Sequence, residues 1–307
     1  MTEEWRLRLC RRRKGKQNTA EPLLCKNAGS VLLFAGMKRR IVLPVLTGIA
    51  YFCLFLMAAK YDMPLSKHLT ARQISAVVIT GARIGPLPVF FTPAWCLRAL
   101  FPKPQKQILF RLIEAALCII CGWNLIDPEQ FILSEILSVA GASLLFYGLL
   151  EILPLPELTE RRRKLLWLGI TITTGAFLSV QLMKCIWGRP RFIAILQEGA
   201  SFREWFHIAG FAFRKDFYRS FPSGHTVSAA AMFFITFLPD LFPDLPQKPW
   251  IYWTVSFLFT VFVAFSRIMA GMHFISDVMA AFGVYMIWYL VLTIRFQITE
   301  ERNEGKE

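Results

Sequence analysis

The chain has 307 residues, 55% of them hydrophobic and only 18% charged, with a formal net charge of +14. One or two soluble domains would fit this length, but the apolar residues come in long blocks, which points to a multi-span membrane protein. The basic excess alone would suit nucleic acid, yet it sits mostly in a short tail ahead of an apolar chain, which sets that partner aside.

Residues 1–40 hold eleven Lys/Arg against three Glu, a balance of +8. We read them as a basic cytoplasmic tail with an interfacial or disordered stretch around Trp5. Basic residues beside a first span mark the cytoplasmic side and favour anionic headgroups. No cleavable signal peptide is expected, because the first apolar run starts late. Ile41–Ala59 is the first span. Residues 60–84 read as a mixed loop with an amphipathic helix near Ile74–Thr80, and Gly85–Phe101 as a second span despite Pro86, Pro88 and Pro93.

A basic turn, Lys103–Lys106, precedes the runs Ile108–Ile126 and Phe131–Leu153, which Asp127–Gln130 separates. Glu114, Glu135 and Glu151 lie in or near these runs, where a charge tends to face a polar interior. Cys118 and Cys121 could form a redox or metal pair, but no histidine accompanies them, so packing is the expected role. The seven cysteines form no even framework. Arg161–Lys164 is a further cytoplasmic signal. Leu165–Met183, Val227–Phe242, Ile251–Phe265 and Phe274–Ile294 complete eight spans with both termini cytoplasmic. The expected fold is an all-α polytopic transmembrane helix bundle. Its parts are the tail, N-terminal spans over 41–154, a core over 165–297 and a C-terminal tail over 298–307. The loop 185–221 is rich in Arg yet falls outside in this count, against the positive-inside rule. A catalytic use of its cations would explain the violation.

The chemistry-bearing residues cluster at span ends. His273 and Asp277 are four apart, the spacing of neighbours on one helix face. A carboxylate there can fix the ring tautomer and leave the other nitrogen free to attack. The ordinary alternative is a surface ion pair. His225 follows Pro222-Ser223-Gly224, a helix-start sequence whose free N–H groups suit an anion. A histidine there can protonate a departing oxygen. Lys184, Arg189 and Arg191 stand at the end of another span, and Arg267 at the end of a third. Arginine offers phosphate a planar fork and lysine a point charge. The ordinary reading makes them interfacial anchors.

These motifs resemble the type-2 phosphatidic acid phosphatase superfamily, whose pattern is K-x6-R-P, P-S-G-H and S-R-x5-H-x3-D. The chain has Lys184-x6-Arg191, Pro222-Ser223-Gly224-His225 and Ser266-Arg267-x5-His273-x3-Asp277. Phe192 replaces the usual proline of the first motif, and Pro190 lies between the arginines. The resemblance covers about 165–297 and implies a six-span core, so the first spans include two additional ones. It implies His273 as nucleophile, Asp277 as its orienting partner and His225 as acid. Lys184, Arg191, Ser223, Gly224 and Arg267 would bind the phosphate of a membrane lipid, with Arg189 a further candidate and no metal or other cofactor required. The implied setting is the cell (inner) membrane, with the site on the non-cytoplasmic face. A phosphotransferase, a haloperoxidase and a transporter share parts of this pattern. Of the two arginines, Arg191 keeps the motif register, so Arg189 is expected nearer the interface.

Overall fold

The computed structural model describes residues 45–70, 75–102, 108–126, 133–211 and 215–304. The basic tail, the Lys103–Lys106 turn, the Asp127–Gln130 separator and the side chain of Glu135 lie outside the described residues. Two units result, residues 1–51 and 52–307. The described part of the first is helical.

The described residues hold helices and no strand. In chain order the helices are α1 (Val45–Ala59), α2 (Asp62–Leu69), α3 (Ala76–Ile84), α4 (Leu87–Leu100), α5 (Ile108–Ile126), α6 (Leu133–Ile152) and α7 (Glu160–Trp187). They continue with α8 (Phe192–Glu198), α9 (Gly224–Ala230), α10 (Leu238–Leu241), α11 (Pro249–Met269) and α12 (Ile275–Glu304). The chain is an all-α polytopic bundle. Five stretches among the described residues are long and apolar enough to cross a bilayer, six if α1 and α2, bent by 68°, form one. The run expected over 131–153 carries a shorter apolar helix, Ile136–Ile152. The run expected over 227–242 is broken into α9, a 3₁₀ stretch over Ala231–Phe237 and α10. Pro239, in the first turn of α10, has no N–H to continue an α-helical ladder.

One expectation is corrected. Residues 60–84 are mostly helix, and the second span begins at Ala76 instead of Gly85. Ser75 caps α3 by accepting from the Val78 N–H at 3.3 Å, and Gly85 N–H still bonds to the Gly81 carbonyl at 3.2 Å. The helix therefore runs almost unbroken into α4, because Pro86 stands at a helix start, where its missing N–H costs little. Gly81 and Gly85 are required for another reason. A Cβ on Gly81 would collide with Ser266, and one on Gly85 with Val263. Small residues four apart let α3 approach α11 this closely. At the C-terminus α12 carries helix through 298–304.

Lys184 near the end of α7, Gly224 at the start of α9, Arg267 near the end of α11 and the first turn of α12 meet at one end of the bundle. At the other end Arg161, at the start of α7, reaches Asp240 in α10 at 3.1 Å.

Candidate active site

Helix α7 delivers Lys184 in its last turn and stops at Gly188, whose φ of 58° is the left-handed conformation that ends helices. The chain then turns through Arg189-Pro190-Arg191. Backbone bonds fix this turn: Arg191 N–H to the Phe217 carbonyl at 2.8 Å, Ser220 N–H to the Arg189 carbonyl at 3.0 Å, and Ile193 N–H to the Gly271 carbonyl at 2.9 Å. The three motif regions are thereby tied together by main chain as well as side chain.

The two arginines point to different places. Arg191 lines a cavity of about 500 Å3. Its two terminal nitrogens reach the Asp216 carboxylate at 2.6 and 2.7 Å. That is the bidentate fork geometry a phosphate would use. Arg189 is fully buried instead of lying near the interface. Its Nη1 donates to Asp277 Oδ1 at 2.5 Å and to Ser276 Oγ at 2.8 Å, its Nη2 to Asp62 Oδ2 at 2.8 Å, and its Nε to the Arg203 carbonyl at 2.8 Å. The guanidinium also lies over the Phe274 ring, 4.3 Å from its centroid. Carboxylates on both sides drew this side chain inward.

Asp277 gathers the groups at this end of the bundle. Besides Arg189, it accepts from Ser220 Oγ at 2.5 Å and from the Phe274 N–H at 2.8 Å. The latter is the reach of a carboxylate in the first helical turn back to the residue before the helix. His273 precedes α12, so its approach to Asp277 comes from this turn and not from a shared helix face. The His273 Nδ1 to Asp277 Oδ2 distance is 3.6 Å, an ion-pair distance longer than a hydrogen bond. Burial pushes the His273 pKa down to about 4, against the pull of Asp277, so the ring is neutral at ordinary pH.

Gly224, His225, Arg267 and His273 line the same cavity as Lys184 and Arg191. Lys184 Nζ donates to the Arg219 carbonyl at 3.1 Å. A Cβ on Gly224 would stand 3.4 Å from that nitrogen, so glycine leaves the space beside it open. Ser223 stands behind the wall: its hydroxyl accepts from Thr226 N–H at 3.3 Å and Thr226 Oγ1 at 2.9 Å, and its N–H bonds to the Asp277 carbonyl at 3.0 Å. The lining also includes Ala82, Pro86, Phe90 and Phe177, with Asn124, Gln181 and Ser228 as neutral polar groups. The cavity thus combines cations and histidines with apolar side chains. Among the described residues no group of three or more His, Cys, Asp or Glu is placed to hold a metal ion.

Comparison with known proteins addresses the same region. A model of the PAP2 superfamily matches residues 164–300. A stretch of 75 residues, 24% of the chain, is 29% identical to phosphatidylglycerophosphatase B of Bacillus subtilis (strain 168) and spans 37% of that protein's length. No solved structure matches the chain.

Outside the matched residues, Ala82 on α3, Pro86 just before α4, Phe90 on α4 and Asn124 on α5 also line the cavity. Sequence reasoning missed these, and also Asp62, Asp216 and Ser220. For Asp62 a signal existed: its register places it one turn from Ser66, and both are buried on α2. Read as loop, the segment hid that face. The glutamates of α5 and α6 lie elsewhere. Glu114 is fully buried and accepts from Arg111 Nη1 at 2.8 Å and from Arg98 Nη1 at 3.4 Å, and Glu151 pairs with Arg98.

Proposed function

We propose that this protein is an integral membrane phosphatase that hydrolyses a lipid phosphate monoester or diphosphate through a phosphohistidine, without a metal ion. The observation that carries this reading is a single cavity lined by His273, which Asp277 backs, by His225, Lys184, Arg191 and Arg267, and by apolar side chains. The phosphatase named among its relatives acts on a phosphorylated lipid, as its name states, and supports the same substrate class.

In this mechanism the free ring nitrogen of neutral His273 attacks phosphorus. The bond to the lipid oxygen breaks, and that oxygen takes a proton from His225. His225 then accepts a proton from the water that attacks the phosphohistidine, releasing phosphate and restoring His273. Charge spreads over the phosphoryl oxygens in both steps, so stabilisation by fixed donors is the main catalytic need. Lys184, Arg191 and Arg267 supply it, with Gly224 at the start of α9, the helix that Ser223 caps from behind the wall. The apolar side chains receive the lipid's first carbons. The site opens on the non-cytoplasmic face of the cell (inner) membrane, opposite Arg161–Lys164. Residues 165–297 act as the catalytic core, with α3, α4 and α5 lending residues to the cavity.

The test is phosphate release by the purified protein from phosphatidylglycerophosphate, phosphatidate, polyprenyl diphosphate and a lipid A phosphate. At least one should be cleaved, with turnover that survives EDTA, is inhibited by vanadate and is lost in His273→Ala. Release from none of them, or release that needs added Mg²⁺, contradicts the proposal. Single cysteines at Ala200 and Thr159 should label from opposite sides of the membrane, and labelling from one side would refute the assigned face.

A further inference from the structure

We propose that Asp62, on α2 and outside the PAP2 region, is a positioning residue for the His273–Asp277 pair, acting through Arg189 and Ser276. The inference rests on the phosphohistidine reading above. Asp62 is buried, and each of its oxygens is engaged: Oδ1 accepts from Ser276 N–H at 2.9 Å, and Oδ2 from Ser276 Oγ at 2.6 Å and Arg189 Nη2 at 2.8 Å. Ser276 is the residue before Asp277. Asp62 therefore holds the first turn of α12 from one side while Arg189 bridges it to Asp277 from the other.

Charge balance gives this arrangement a chemical role beyond packing. Arg189 alone beside Asp277 would cancel the carboxylate that faces His273. With two carboxylates sharing one guanidinium, the trio carries a net negative charge. That surplus stands behind His273, whose ring becomes cationic when one nitrogen bonds to phosphorus and the other keeps its proton. A fixed charge aimed at a developing opposite charge lowers the barrier to the step in which it develops. The contribution belongs to the transition state, so it shows in kcat and leaves KM nearly unchanged. Asp62 contacts no cavity atom and does not line the site.

The experiment compares Asp62→Asn, Asp277→Asn, the double variant and His273→Ala in detergent-purified full-length protein. The probe is whichever of the four lipids above is cleaved fastest. Asp62→Asn keeps the shape but removes the charge. We expect kcat to fall about 10- to 100-fold with KM within about twofold, and no further loss when Asp62→Asn is added to Asp277→Asn, because Asp62 acts through that residue. Full kcat in Asp62→Asn, or losses that multiply in the double variant, overturns the proposal. If Asp62→Asn does not yield folded protein, Ser276→Ala carries the test: a kcat loss of about threefold with unchanged KM supports the role, and wild-type kcat overturns it. Activity persisting in His273→Ala refutes the phosphatase reading itself. Activity lost there but intact in Asp62→Asn refutes only the role of Asp62.

Discussion

Two ion clusters link helices of this bundle, one fully buried and one reaching an exposed carboxylate, and they differ in what they leave over. Beside the cavity, Asp62 and Asp277 share Arg189. Across α4, α5 and α6, Arg98 and Arg111 meet Glu114 and Glu151. The second cluster has equal numbers of each sign and no histidine, so its charges are spent on one another. The first has a surplus carboxylate and directs it at His273. Burying Glu114 and the Asp62–Arg189–Asp277 trio is costly, and neither cluster is explained as a gain in stability over apolar packing. The balanced one links helices. The unbalanced one links helices and, in the proposed mechanism, also supplies a field to the reacting ring.

The sharpest way to break that contrast is Arg189→Ala. Two buried carboxylates would lose their common partner, and breaking a buried pair in this way costs about 3–5 kcal/mol. We expect a large fall in thermal midpoint together with loss of turnover, measured by unfolding in detergent and by phosphate release. Arg191→Ala should instead leave the midpoint near wild type while activity falls, since the Asp216 carboxylate it would leave unpaired is 73% exposed. A stable, inactive Arg189→Ala would mean that Arg189 binds phosphate after all.

A smaller effect is expected in the balanced cluster. Glu114→Gln weakens bonds from two arginines and should lower stability by roughly 1.5–3 kcal/mol, while kcat of the folded protein stays within about twofold. A specific loss of kcat there would erase the distinction between the clusters. The smallest effect belongs to Asp216. Its carboxylate occupies the Arg191 fork that the substrate phosphate needs. Exposed pairs are worth up to about 1 kcal/mol, so Asp216→Asn should lower KM by about fivefold or less, as read from steady-state kinetics. An increase in KM would show that Asp216 positions Arg191 for substrate and does not compete with it.

Much of the site was legible because its chemistry is concentrated at helix ends with fixed spacings. Lys184, Arg191, Gly224, His225, Arg267 and His273 meet around one cavity. Arg189 was misjudged because spacing gives no direction: its fate depends on Asp62, 127 residues away along the chain. Asp62 was hidden by the polar look of Lys60–Lys67, which masks a helix whose buried face is only Asp62 and Ser66. The start of α3 was hidden too, because its apolar face must fit Ser266 and Val263, and only Gly81 and Gly85 record that fit. The break at Ala231–Phe237 has no comparable mark apart from Pro239.

The central claim is that His273 becomes covalently phosphorylated. Mixing the purified protein with ³²P-labelled lipid phosphate and quenching within milliseconds tests it directly. The account predicts label on the protein that is stable to alkali, lost in mild acid, mapped to His273 and absent from His273→Ala. Turnover of the lipid with no protein-bound label, or label that persists in His273→Ala, would contradict it.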